Sequence, residues 1–168
     1  MKSSRSRSAS RTDPLTGVGN RSALRHRLDA GAGPVRLALL DLDDFKPVND
    51  RYGHDVGDSV LRVVAQRLAA SVREDDVVAR FGGDEFAVVF APGTTADGVT
   101  ASTRRMLDAI ARPIACEGGP TVVVGASVGV AEGEPHEVVR LADAALYDAK
   151  EERRPGSGDR PRRGVGGE

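Results

Sequence analysis

Apolar positions fall in short blocks along this chain, and their spacing changes from block to block. Val35–Phe45, "VRLALLDLDDF", is an almost unbroken apolar run ending in acids, the pattern of a buried strand. From Asp58 to Ala70 the residues Val60, Leu61, Val64, Ala65 and Leu68 recur at helical spacing, and Asp58 stands where an N-cap would. "VVARF" and "FAVVF" are β-rich runs separated only by Gly82-Gly83-Asp84-Glu85. That predicts a hairpin whose paired glycines supply positive φ. Val99–Ala111 reads as a helix with Met106, Leu107 and Ile110 inward. Ile114–Glu117 and Thr121–Val130 read as strands joined at Gly118-Gly119, and Val138, Leu141, Ala142, Ala145 and Ala149 mark a last helix. Near the start, "DPLTGVGNR" (Asp13–Arg21) is rich in turn formers, and Asn20 is placed to cap a short helix through Leu24 and Leu28.

From Leu37 to Val130 the order is β-α-β-β-α-β, with one extra short strand. It predicts an α+β fold of the split βαβ type: a mixed, partly antiparallel sheet with helices on one face, an extra hairpin strand, and more helices flanking it at both ends. A length of 168 residues suits one domain with its own core. Residues 1–12 are almost all Ser, Arg and Lys, and residues 155–168 are rich in Gly, Pro and Arg. Both are expected to be disordered flanks of a domain over 13–154, because neither has enough apolar surface to offset chain ordering. Their arginines read as solvated rather than as RNA or lipid ligands.

Composition narrows the chemistry. The formal net charge of -1 gives no global basic field, so no nucleic-acid partner is expected. The single cysteine, Cys116, excludes an intrachain disulfide and a Cys/His zinc cluster. No apolar run reaches the ~18 residues of a membrane span. The opening "MKSSRSRSASRT" lacks the apolar core of a secretory signal. A soluble, reducing, cytoplasmic setting is the expectation. The stretch before Asp13 is too short for a sensor domain, so a fragment or a stand-alone protein under a regulatory partner is expected.

The hairpin carries two acids at its tip. Neighbouring side chains of a strand point to opposite faces, so Asp84 and Glu85 reach one point only if the turn rotates one of them. Asp41, at the end of its own apolar run, is the natural neighbour of Asp84. Two carboxylates from adjacent strand ends make a hard-oxygen site that suits Mg²⁺ together with water and phosphate oxygens. The glycines then let backbone N–H groups approach a phosphate closely. A plain solvent-exposed turn is the competing account of the hairpin taken alone. "DLDDFKPVNDRYGHDVGD" (Asp41–Asp58) reads as a Gly-punctuated polar loop leading into a helix. In it Asn49 can pair with a purine edge, Asp58 can accept from two N–H groups of guanine, and Lys46 can meet phosphate. His54 reads as a structural hydrogen bonder, and Asp58 has the plain helix cap as its other role.

Together "RFGGDEF", "DLDDFKPVNDRYGHDVGD", "DPLTGVGNR" and "ADAALYDAK" closely resemble the GGDEF domains, the diguanylate cyclases of bacteria. The resemblance runs from Asp13 to about Arg154, and four blocks in order make it specific. It implies that two GTP molecules, one on each domain of a transient homodimer, are condensed to cyclic di-GMP with release of two pyrophosphates. It also implies a palm-like, nucleotide-cyclase-like fold. Asp41, the carbonyl of Leu42, and Asp84 match the metal positions, for Mg²⁺ or Mn²⁺. Asp84 also matches the position proposed to help deprotonate the 3′-hydroxyl, and Glu85 matches a second acid needed for activity. Asn49 and Asp58 match the guanine-binding pair. Phe45 and Lys46 lie where the triphosphate is covered, with Gly82 and Gly83 close to it. Lys150 and Arg154 match distal phosphate contacts. The chain departs from the usual pattern at Val18-Gly19, where Leu-Pro is common, and at Arg153-Arg154-Pro155, where Pro155 is expected to end the helix early.

"REDD" (Arg73–Asp76) matches the family's RxxD product-inhibition site. An arginine can bind guanine O6 and N7 in bidentate fashion while an aspartate holds the other edge. The strand Val77–Phe81 spans roughly 17 Å at about 3.3 Å per residue, so Arg73 and Asp76 would form a second, allosteric site rather than part of the hairpin site. Arg104 or Arg105 is a candidate further contact. The competing readings are a non-catalytic GGDEF module that is a receptor for GTP or cyclic di-GMP, and an interaction module working through its N-terminal arm.

Overall fold

The computed structural model describes residues 10–154, and the remainder of the expected arm and tail lies outside the described residues. Residues 10–12, which composition assigns to the arm, are held in the fold. Thr12 bridges Gly19, and the Arg11 carbonyl accepts from Asn20 N at 2.9 Å.

The apolar run becomes β1 (Val35–Asp43), one of the two inner strands of a four-stranded sheet. It pairs with β3 (Glu85–Val89) on one side and β6 (Gly125–Gly133) on the other, and β2 (Val77–Arg80) lies outside β3. Every pairing between these strands is antiparallel. The parallel component of the expected mixed sheet shrinks to one bridge, from Gly19 to Ala79.

β1 is apolar on both faces because both are covered. Ala38, Leu40 and Leu42 pack with residues of α3 (His54–Ser71) and α4 (Ala96–Ile110). Leu37 and Leu39 pack with Leu24 and Leu28 of α1 (Arg21–Asp29) and with Val138, Ala142 and Leu146 of α5 (Val138–Arg153). Each fully buried Leu or Val contributes roughly 1.5–3 kcal/mol. The helix pair expected on one face is there, and the flanking helices cover the other.

Four local expectations change. The polar stretch after β1 is a helix, α2 (Phe45–Tyr52), entered through Asp44 at φ 57. Pro47 is tolerated because it sits in the first turn, where its missing N–H has no intrahelical partner to lose. Asp58 is not an N-cap. α3 starts at His54 behind Gly53, whose φ of 87 makes the sharp turn between the two helices, and Asp58 falls in the second turn. The expected strand Thr121–Val130 is broken at Val123-Val124. Thr121–Val122 is β5, paired with β4 (Ile114–Ala115) in a small separate sheet, and β6 begins at Gly125. At the C-terminal end, α5 stops at Arg153, and Arg154 is extended (φ -67, ψ 127), as a residue before proline prefers.

Candidate active site

Asp41 lies opposite Glu85 in the β1–β3 register. Opposed residues share a sheet face, and so do alternate residues along each strand. Leu37, Leu39, Ala87 and Val89 face α1 and α5, so Asp41, Asp43 and Glu85 project toward those helices at the open end of the sheet. α5 answers the acids with a matching row of cations. Lys150 donates to Asp41 Oδ2, and Arg153 reaches Asp43 Oδ2 at 2.6 Å and the Ala126 carbonyl at 3.0 Å. Ser127 Oγ donates to the other Asp43 oxygen at 2.7 Å. Asp41 is only 8% exposed, so the ammonium beside it neutralises a charge that is costly to bury alone.

The hairpin tip is tied to this row by backbone. Leu42 N donates to the Asp84 carbonyl at 3.1 Å, which places Asp84 against the end of β1. Phe81 N and Gly82 N both donate to the Glu85 carbonyl, at 2.8 and 3.2 Å, and close the turn. Neither Gly82 nor Gly83 takes the positive φ expected of it. Gly82 is required for a different reason: a Cβ there would lie 2.7 Å from Glu85 Oε2, so the bare backbone makes room for the carboxylate. Gly83 is exposed, and its carbonyl accepts two bonds from the Arg80 guanidinium, at 3.0 and 2.8 Å. Arg80 also reaches Asp13 at 3.4 Å. Burial alone would raise the Asp13 carboxyl, but hydrogen bonds from Thr16 and the charge of Arg80 outweigh it and hold the group below the ordinary range. Glu85 goes the other way. Burial first, then Asp84 and Asp143, push it up, and Arg21 opposes them.

Asn49 on α2 lies against Gly57 of α3, the neighbour of Asp58. A Cβ on Gly57 would come within 1.8 Å of Asn49 Oδ1. That oxygen is buried and has no hydrogen-bond partner among the described residues, an unmet acceptor beside Asp58. Phe45 is buried in the core. Lys46 is 86% exposed and pairs with Asp50 at 3.1 Å, a surface contact of little energetic weight.

Between the end of β1 and α5 opens a cleft of about 570 Å³, lined by Leu42, Asp43, Asp44, Ser127, Lys150, Arg153 and Arg154. Three cations converge there. Arg154 is at the lip and pairs with Glu151 at 2.7 Å. Among the described residues no three His, Cys, Asp or Glu side chains are grouped to hold a metal ion. Asp41, Asp84 and the Leu42 carbonyl nevertheless offer hard oxygens at neighbouring strand ends. A cation, the Lys150 ammonium, already rests on Asp41, so the donor chemistry fits a divalent ion.

Arg73 and Asp76 sit at the α3–β2 connection, away from the tip. Both Asp76 oxygens are engaged in bracing backbone: Oδ1 accepts from Ala91 N at 2.7 Å and Oδ2 from Arg73 N at 2.9 Å. The Arg73 side chain is exposed. Arg105 donates to the Ser71 carbonyl nearby, at 3.2 and 3.3 Å, whereas Arg104 lies beside Val130.

Sequence reasoning missed Arg153, Asp43 and Ser127 in the cleft, and Arg21, Arg80 and Asp143 around the hairpin. The spacing of Lys150 and Arg153 on a helix against Asp41 and Asp43 on a strand was the available signal.

Fold and site define a GGDEF domain, and the chain belongs to that family: residues 10–155 match "Diguanylate cyclase, GGDEF domain". The response regulator PleD of Caulobacter vibrioides is 37% identical over 152 residues, which cover 83% of this chain and 34% of that protein. Diguanylate cyclase DgcP of Pseudomonas aeruginosa is 41% identical over 151 residues, covering 83% and 22%. The chain therefore spans about a third or less of these relatives. Among solved structures, the GGDEF domain of DgcB from Caulobacter crescentus in complex with c-di-GMP matches with a TM-score of 0.78 at 33% identity, covering 86% of this chain and 92% of that one.

Proposed function

We propose that residues 13–154 form a diguanylate cyclase domain, which condenses two GTP molecules to cyclic di-GMP and two pyrophosphates. The observation that carries this reading is the convergence of Asp41, Asp84 and Glu85 at adjacent strand ends beside a cleft with Lys150 and Arg153 on its wall. Asp41, Asp84 and the Leu42 carbonyl would hold Mg²⁺ or Mn²⁺. A divalent ion held there would screen the triphosphate charge and lower the pKa of the attacking 3′-hydroxyl. Lys150, Arg153 and Arg154 neutralise the phosphates. The first-turn N–H groups of α2, at Phe45 and Lys46, lack intrahelical partners and cover them, with the backbone of Gly82 and Gly83 opposite. Asn49 and Asp58 read guanine: the unmet Asn49 oxygen takes a donor from the base, and Asp58 accepts its N1–H and N2–H₂. Asp84 takes the 3′-hydroxyl proton, and Glu85, whose carboxyl is pushed up by burial and by Asp84 and Asp143, is the second acid the reaction needs. Arg73 would bind the product as feedback inhibitor. Asp76 is committed to Ala91 and to the Arg73 backbone, so the arginine carries that contact.

Incubating the purified chain with GTP and either Mg²⁺ or Mn²⁺ tests the reading. Pyrophosphate and cyclic di-GMP are expected in a two-to-one ratio. Tight cyclic di-GMP or GTP binding without product would replace the cyclase with a receptor.

A further inference from the structure

On the face covered by α1 and α5, behind the hairpin, lies a second hollow that shares no residue with the Lys150–Arg153 cleft. It encloses about 340 Å³ between α1 and the start of α5. Small-molecule pockets run from about 300 to 1,000 Å³. Leu24, Leu28 and Val139 supply apolar wall. Arg21 and Arg25, four apart on one face of α1, stand on the rim, and His136 lies with them. Asp29 is the single carboxylate in the lining. Among the described residues no ion pair engages Arg21, Arg25 or His136. Arg21 lies over the Phe81 ring, 4.2 Å from its centroid, and donates through Nε to the Phe81 carbonyl at 3.3 Å. Its charge also reaches Glu85, whose carboxyl it holds down against burial.

Within the lining two guanidinium groups face one carboxylate, Asp29, beside aliphatic wall, and Arg21 is shared with Glu85. We propose that this hollow binds a small amphipathic carboxylate, with its headgroup on Arg21 and Arg25 and its apolar body on Leu24, Leu28 and Val139. Occupancy is felt at the hairpin, because Phe81 directly precedes Gly82-Gly83 and its N–H closes the turn on the Glu85 carbonyl. The site does not rest on the cyclase reading, since binding is measured without GTP.

The test titrates 4-phenylbutyrate into the full chain labelled with ¹⁵N, with 4-phenyl-1-butanol as the neutral comparator. Saturable shifts are expected in residues 21–29 and 136–139 and at Gly82 and Gly83. The alcohol should bind about tenfold or more weakly, and Arg25→Gln should weaken the carboxylate about tenfold, as for loss of one charge-assisted hydrogen bond. Arg25 is exposed, so this variant is expected to keep the wild-type fold and spectrum. The site is overturned by absence of saturation at those residues, by equal binding of acid and alcohol, or by indifference to Arg25→Gln. Shifts confined to α1 and α5 would overturn the link to the hairpin.

Discussion

Gly57 shows how one missing atom makes room for a side chain that the proposed guanine site uses. Its buried backbone is the only reason Asn49 Oδ1 can lie where it does, since a Cβ would sit 1.8 Å away. Gly57→Ala is therefore expected to displace the Asn49 amide and weaken binding of a non-hydrolysable GTP analogue about tenfold, while leaving the circular dichroism unchanged. Unaltered affinity would remove Asn49 from base recognition. Glu85 makes a second argument at this scale. Its folded carboxyl is pushed up by burial and by Asp84 and Asp143, so the native state holds its proton more tightly than the unfolded chain. The stabilisation this gives is complete below the unfolded pKa and is lost as pH rises through the folded one. Once it is lost, Glu85→Gln, which carries no charge, is expected to melt higher than wild type in metal-free buffer. The gap should narrow as pH falls through the ordinary glutamate range. A gap that widens toward acid would contradict the cause assigned to the shift.

Elements, rather than single residues, explain where the cations stand. α5 lies directly on β6 because Gly129 has no side chain: a Cβ there would be 2.1 Å from Leu146 N and 2.3 Å from the Ala142 carbonyl. Helix backbone cannot yield locally, so Gly129→Ala should lift α5 at a cost of about 1–3 kcal/mol. That lowers the melting temperature by about 2–4 °C per kcal/mol and draws Lys150 away from Asp41. A variant with unchanged melting would mean that α5 slides without loss. The same scale separates what the sequence made legible from what it hid. β1, the hairpin strands, α3 and α4 stand out because their apolar spacing and their burial have the same period. α2 is obscured because Pro47, Asn49 and Asp50 are poor helix formers, and only Phe45 and Val48 are buried. The break at Val123-Val124 is invisible because valine favours strands whether or not a partner is present. The hairpin acids could be read from one motif, whereas Arg153 and Arg21 needed the helices to be placed first. The positive φ expected of the turn glycines is absent, and Gly82 makes room for Glu85 instead.

For the whole molecule, the separation of sites decides what can be uncoupled. β2 lies between Arg73 and the hairpin, and the Arg73 side chain is exposed. Arg73→Ala is expected to raise the inhibition constant for cyclic di-GMP roughly five- to 150-fold, the loss of one bidentate guanine contact, with little change in initial rate. An unchanged constant would leave "REDD" as a connection only. The larger consequence concerns how many chains a turnover needs. Among the described residues one chain carries one hairpin, one Asp41/Asp84 pair and one proposed guanine site at Asn49 and Asp58. Cyclic di-GMP needs two attacks, each by the 3′-hydroxyl of one GTP on the α-phosphorus of the other. On the proposed reading, two domains face each other about a two-fold axis, each presenting its GTP to its partner. The pairing competes with dissociation on dilution, so specific activity should rise with enzyme concentration through the micromolar range. Fusing a coiled-coil dimeriser before Asp13 should raise it further by supplying effective concentration. Activity that stays flat over a hundredfold dilution, in samples that sediment as monomers, would rule out the two-domain reaction. The same flat profile in samples that sediment as dimers would instead mean that the domains hold together tightly.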